Sequence, residues 1–241
     1  MPTTPLQALI FDVDGTLADT EHLHRVAFNE AFSRAGLDWQ WDANTYRRLI
    51  LVAGGRERIA HWQREHRAPD APAWTSDSPE VRTLHASKTA IYTDWVGRGE
   101  IPLRDGVERL VREARASGLR LAIATTTSPP NIDALLGFSL GPDWRDFFEV
   151  IEDADTAPRR KPDPQVYQQA LSRMGLTADA CLAFEDSITG LQAAIAARLP
   201  TLVTPSHYTH HQDFRGALRV MPSLADVTVE QLHAWHGAQA G

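Results

Sequence analysis

Leu6-Gln7-Ala8-Leu9-Ile10-Phe11-Asp12-Val13-Asp14-Gly15-Thr16 is the stretch on which the fold turns. Its first half is a short apolar run and its second half gathers acids and a glycine. That is the pattern of a buried strand delivering its end into a functional turn. Beyond it the rhythm changes. From Glu21 to Ala35, Leu23, Ala27, Ala31 and the pair Phe28 and Phe32 recur at helical spacing with charges between them, and Gly36 ends the run. Residues 37 to 100 hold no convincing strand. Helices are predicted over 43–52, 55–65 and 78–97, separated by the Pro- and Asp-rich stretch Ala68 to Pro79. Trp39, Trp41, Trp62 and Trp74 fall in this region, which reads as a small helical domain with these indoles in its own core.

After Pro102 strands and helices alternate. The expected elements are a helix over Asp105–Ala116, a strand over Leu119–Thr125, a helix over 129–137 and a short strand at Val150 and Ile151. A helix over Pro164–Met174 follows, with Asp163 as N-cap and Pro164 in the first helical position. Then come a strand over Ala180–Phe184, a helix over Ser187–Ala197 and a strand over Leu199–Thr204. Such alternation predicts right-handed βαβ units and a parallel sheet. The expected fold class is therefore α/β, a Rossmann-like core with an inserted all-helical cap. Residues 1–20 and 99–241 form the core and 21–98 the cap.

Composition agrees. At roughly 150 residues per domain, 241 residues suit one large domain or a core with an insertion. A net charge of −7 without a basic run argues against nucleic acid, whose affinity comes from cations neutralising phosphates. The single cysteine, Cys181, rules out an internal disulfide and suits a reducing compartment. No run approaches the ~20 apolar residues of a membrane span. Met1 to Leu6 has no basic flank or long apolar stretch, so a cytoplasmic monomer without a membrane or nucleic-acid partner is expected.

Polar groups cluster where strands are predicted to end: Asp12 to Thr16, Thr125, Arg159-Arg160-Lys161-Pro162, and Glu185-Asp186. Ligands of open parallel sheets bind outside the carboxyl ends of the strands. Carboxylates gathered there repel unless a cation sits among them, and a hard ion with oxygen ligands, most simply Mg2+, fits. Lys161 and the Thr125 hydroxyl add a positive charge and a donor suited to phosphate oxygens. The set reads as a phosphoryl-transfer site. His207, His210 and His211 lack a partnering Cys or acid at ligand spacing and read as a solvated loop.

In this combination and order the motifs resemble those of haloacid-dehalogenase-superfamily hydrolases, and the resemblance covers nearly the whole chain. It implies an aspartyl-phosphate route in which Asp12 is the nucleophile and Asp14 the general acid and then base. Asp12, the Asp14 backbone carbonyl, Asp186 and Glu185 would hold Mg2+, while Thr125 and Lys161 steady the phosphoryl oxygens. The insertion is similar to the helical cap of the β-phosphoglucomutase-like branch. The stretch Trp39 to Arg58 resembles the CbbY branch more than the mutases, and Lys88 with Tyr92 is similar to a lysine and tyrosine of the mutase cap. That resemblance implies a sugar-phosphate substrate, best matched by xylulose 1,5-bisphosphate, a misfire product that inhibits Rubisco. The implied substrate contacts are Glu21, His24, Gly54, Gly55, Arg56, Glu57, Arg58, Lys88, Thr125, Thr126, Thr127 and Ser128. His22 and Pro129-Pro130 depart from the branch pattern. β-Phosphoglucomutase and phosphoglycolate phosphatase remain as alternatives within the fold. A phospho-receiver domain is a remote one, because it needs an acceptor Asp ending a middle strand, and none follows here.

Overall fold

The computed structural model describes residues 4–52 and 54–238. The chain forms two compact units, one running to Asp19 and resuming at Ile101, the other spanning Thr20 to Glu100. No helix among the described residues is long and apolar enough to cross a membrane.

The first unit is built on six parallel strands: β1 (Ala8–Phe11), β2 (Arg120–Ala124), β3 (Val150–Glu152), β4 (Cys181–Glu185), β5 (Thr201–Val203) and β6 (Arg219–Val220). Their spatial order is β3-β2-β1-β4-β5-β6. Every residue of β1 is buried, since a central parallel strand is covered on both faces and needs apolar side chains throughout. Phe11 pairs with Ile123 on one side and Phe184 on the other. Its ring stacks on that of Phe184 at 4.5 Å, tying the two central strands together just below the site. The order reverses between β1 and β4, the switch point at which doubly wound sheets open a crevice. The helices of this unit, in chain order after those of the insertion, are α5 (Val107–Ala116), α6 (Pro129–Leu140), α7 (Gln165–Met174), α8 (Ile188–Ala196) and α9 (Val229–Gly237).

The second unit holds α1 (Glu21–Arg34), α2 (Ala43–Leu49), α3 (Gly55–His66) and α4 (Pro79–Gly97). Its core is aromatic: Trp41, fully buried, lies 4.7 Å from Phe28 and 4.8 Å from Phe32. The Asn29 amide accepts from the Trp41 N–H and donates to its carbonyl, so this non-helical backbone is satisfied inside the core. Trp39, Trp62 and Trp74 are only partly buried and pack at its margin. Gln63 organises the Pro-rich segment by donating to the Pro72 carbonyl and accepting from the Trp74 N–H.

Several expectations need correction. β6 and α9 carry no counterpart in the predicted elements. β6 is two exposed residues, too short for a periodicity. α9 does have a signal, the Thr228/Gln231 capping box. The helix predicted over 164–174 begins at Gln165. Pro164 is its N-cap residue, and Asp163 acts one position earlier, its carboxylate accepting from the Gln165 N–H in an Asx turn. Lys161 does not end a strand. It lies in the loop between β3 and α7, nine positions past Glu152.

Candidate active site

Asp12 follows the last residue of β1, and its N–H continues the sheet by donating to the Phe184 carbonyl at 3.0 Å. The chain then turns through Gly15, whose φ of +81° is a conformation open to glycine at little cost. A Cβ on Gly15 would lie 2.2 Å from Asp186 Oδ2, so the same glycine lets the turn close over that carboxylate. Asp186 follows β4 directly. Asp12, Glu185 and Asp186 each offer one carboxylate oxygen, and these oxygens all lie within 4.8 Å of one another. This is the only such cluster of three ligating groups among the described residues.

Lys161 sits inside the cluster. Its Nζ donates to Asp12 Oδ1 at 2.8 Å, Glu185 Oε1 at 2.6 Å and the Ala124 carbonyl at 2.9 Å. An ammonium has three protons, so all its donors are committed to the protein. In this arrangement Lys161 orients Asp12 and neutralises two acids, with its charge beside the carboxylate that a phosphoryl group would approach. Burial alone would lower its pKa, but the charges of Asp12 and Glu185 prevail and raise it. Burial likewise raises the Asp12 carboxyl against the pull of Lys161, and pushes Glu185 up to about 7.

Tyr167 and Thr16 complete the cluster. The Tyr167 hydroxyl donates to Glu185 Oε1, and burial holds its pKa well above the ordinary value, so it stays a donor. Thr16 Oγ1 donates to Asp12 Oδ2 at 3.3 Å. Glu185 Oε2 is buried and has no hydrogen-bond partner. It occupies the space of the side chain that Gly190 lacks, 1.9 Å from where a Cβ would stand. A hard divalent cation fits this donor set: three carboxylates converge, and one buried oxygen is left unsatisfied.

The segment after β2 is pinned in place. Thr125 and Thr127 are buried, and the Thr125 hydroxyl accepts from the Thr127 N–H. Asn131 donates to Thr127 Oγ1, and Arg160 donates to the Thr126 carbonyl. Ser128 Oγ is buried without a hydrogen-bond partner. Pro129 and Pro130 open α6 and carry no N–H, and the next two amides bond to the Ser128 carbonyl. An anion at this segment would therefore meet its hydroxyls and the main chain of 125–128 rather than the first amides of α6.

In the helical unit two networks hold the expected residues. Arg58 donates to the Tyr46 hydroxyl at 2.9 Å, which in turn donates to Glu21 Oε2 at 2.8 Å. Arg58 also donates to the carbonyls of Leu49 and Val52, which fixes the guanidinium in place. Lys88 Nζ lies 2.6 Å from His24 Nδ1, and His24 stacks on Tyr92 at 4.0 Å. Arg56 sits nearer solvent, 3.5 Å from Asp77. Gly54, at φ +98°, precedes α3 with the Glu57 carboxylate folded against it, and Gly55 lies close to the His85 ring. Reasoning from sequence alone missed Tyr167 and the bonds that Tyr46 makes. Each is a buried phenol whose role is set by a partner distant in the chain.

The haloacid dehalogenase-like hydrolase family matches residues 6–198. The chain is 52% identical over 221 residues to the plasmid-borne protein CbbY of Cupriavidus necator, covering 92% of this chain and 87% of that one. It is 46% identical to protein CbbY of Rhodobacter capsulatus, covering 94% and 97%. Crystal structures of CbbY from Rhodobacter sphaeroides, one with phosphate and one of a mutant with xylulose-(1,5)bisphosphate, superpose with a TM-score of 0.87. Each shares 42% identity and covers 94% of this chain and 99% of the solved one.

Proposed function

The chain belongs to the haloacid dehalogenase-like hydrolase family and is a phosphatase, and on that footing we propose that it hydrolyses a sugar bisphosphate, xylulose 1,5-bisphosphate, to the 5-phosphate and inorganic phosphate, with Mg2+ as cofactor. The observation that carries this reading is the buried Lys161 bridging Asp12 and Glu185 beside Asp186 at the switch point of the sheet. The ligand of the Rhodobacter sphaeroides mutant supports the choice of sugar.

In this proposal a carboxylate oxygen of Asp12 attacks the phosphorus, and the bond to the sugar oxygen breaks. Asp14 gives its proton to that departing oxygen. Asp14 then accepts a proton from the water that attacks the aspartyl phosphate, returning Asp12 as a carboxylate and releasing phosphate. Lys161 and Thr16 hold the Asp12 carboxylate in one orientation, so little freedom remains to be lost at the moment of attack. Thr125, with the other hydroxyls of the 125–128 segment, and the Lys161 ammonium steady the phosphoryl oxygens. Asp12, the Asp14 carbonyl, Asp186 and Glu185 would hold Mg2+, which when bound supplies neutralising charge for the transferring group. The cationic side chains of the helical unit, Arg56 first among them, take the second phosphate.

The test is phosphate release over a panel of sugar phosphates with Mg2+ and with EDTA. Xylulose 1,5-bisphosphate should exceed glycolate phosphate and β-glucose 1-phosphate by at least about tenfold in kcat/KM, with EDTA abolishing release. Conversion of β-glucose 1-phosphate to the 6-phosphate without phosphate release would overturn the hydrolase reading in favour of a mutase.

A further inference from the structure

The segment after β5 takes no part in the chemistry above, yet it bonds to one of the three acidic residues, through its main chain and at longer range through its carboxylate. Thr209 is buried. Its Oγ1 lies 2.7 Å from the Asp186 carbonyl oxygen, 3.2 Å from Asp186 Oδ2, 3.0 Å from Ser206 Oγ and 2.8 Å from the Ser206 N–H. A threonine hydroxyl has one proton and two lone pairs. The Ser206 N–H can only donate, so it fills one lone pair. If the Thr209 proton went to Ser206 Oγ, two oxygens of Asp186 would face Thr209 Oγ1 with no proton between them. The consistent assignment has Ser206 donating twice and Thr209 giving its proton to Asp186, chiefly to the main-chain carbonyl at 2.7 Å, with carboxylate Oδ2 as the longer second acceptor at 3.2 Å.

The rest of the segment is braced. Arg104 donates to the carbonyls of Thr204 and Pro205, at 2.6 and 2.9 Å, and to that of Gly15 in the turn after β1. Gln212 accepts from the Ile188 N–H at 2.7 Å, just past Asp186. Asp186 is thus held between the Gly15 turn on one side and the Thr209 hydroxyl on the other. We propose that Thr209 is a positioning residue for Asp186, setting the direction in which that carboxylate faces Asp12 and Glu185. The proposal rests on the reading of Asp186 as a Mg2+ ligand. Residues that orient a ligand from behind typically change metal affinity by about 10- to 100-fold when removed.

The experiment is calorimetric titration of Mg2+ into the intact chain, with thermal unfolding in EDTA to establish that each variant is folded. Thr209→Val and Thr209→Ala remove the hydroxyl and should weaken Mg2+ binding about tenfold. Thr209→Ser keeps the hydroxyl and should stay within about twofold of the parent. In turnover, the Val and Ala variants should recover as Mg2+ is raised, with KM for the sugar phosphate unchanged. Parental Mg2+ affinity in either folded variant overturns the proposal, as does an equal loss in Thr209→Ser. Asp186→Asn separates the two levels. If it binds Mg2+ as the parent does, the assignment of Asp186 itself fails. If it loses Mg2+ while the Val and Ala variants keep it, only the role of Thr209 fails.

Discussion

Lys161→Met removes the cation buried among the acids while nearly preserving side-chain volume. It leaves the oxygens of Asp12 and Glu185 within 4.8 Å of each other and both residues buried. At an effective dielectric of about 20, two unit charges at that distance repel by about 3.5 kcal/mol. That agrees with the ~3–5 kcal/mol seen when one partner of a buried ion pair is removed. For a unit of this size the loss corresponds to a fall of about 10 °C in Tm. The pH dependence has a definite sign. Glu185 is pushed up to about 7 in the folded protein against 4.5 for an ordinary glutamate, and losing Lys161 raises it further. The penalty is therefore full above the folded-state value and shrinks as the carboxyl takes a proton on the way down. Urea unfolding in EDTA at pH 8 and pH 6 should show a large destabilisation at the first and a smaller one at the second. Adding Glu185→Gln to the variant should restore at least about 1 kcal/mol at pH 8. A variant within about 1 kcal/mol of the parent at pH 8, or an equal loss at both pH values, would refute this account of the cluster.

Asp12→Asn should leave thermal unfolding within a few degrees of the parent, since Lys161 keeps Glu185, and should abolish phosphate release; near-parental turnover would remove Asp12 as nucleophile. Arg56→Ala breaks only a 3.5 Å pair with an exposed Asp77, so stability should hold within about 0.5 kcal/mol. Its KM for a bisphosphate should rise more than its KM for a monophosphate ester, and equal effects would free Arg56 from second-phosphate binding. The Cys181 thiol is pushed up to about 12 by burial, so at pH 8 only about one molecule in ten thousand carries the thiolate. Iodoacetamide should therefore label Cys181 at least about a hundredfold faster in urea than in buffer, as mass spectrometry would show.

The central strands were legible in sequence because burial on both faces demands uninterrupted apolar runs, and Leu9-Ile10-Phe11 and Leu182-Ala183-Phe184 have them. The residues just beyond those runs were legible for the same reason: acids at the end of such a run have no structural use for the sheet. Lys161 was found by its motif but misplaced, because nothing in Arg159-Arg160-Lys161-Pro162 reveals that the β3–α7 loop carries it back to the end of β2. Its bond to the Ala124 carbonyl spans 37 positions. Thr209 and Tyr167 were illegible as functional groups. A buried hydroxyl acquires its role from the acceptor it meets, and Asp186 and Glu185 reach them only through the fold. The helical unit was readable as helices and as an aromatic core. The Arg58–Tyr46–Glu21 chain was not, because it joins three different elements.

The central position of β1 also bears on how the polypeptide is made. Ala8 leaves the ribosome early, but its partners in the sheet are Arg120 and Cys181. At about 5–20 residues per second, the second edge of β1 waits roughly 9 to 35 s for β4 to be synthesised. Throughout that interval Ala8-Leu9-Ile10-Phe11 keeps at least one unpaired edge, while the helical unit, contiguous from Thr20 to Glu100, has all the sequence it needs to close. The nascent chain therefore carries a finished insertion beside an open strand edge, and that edge, rather than any feature of the mature surface, is where a chaperone would be needed and where aggregation would begin.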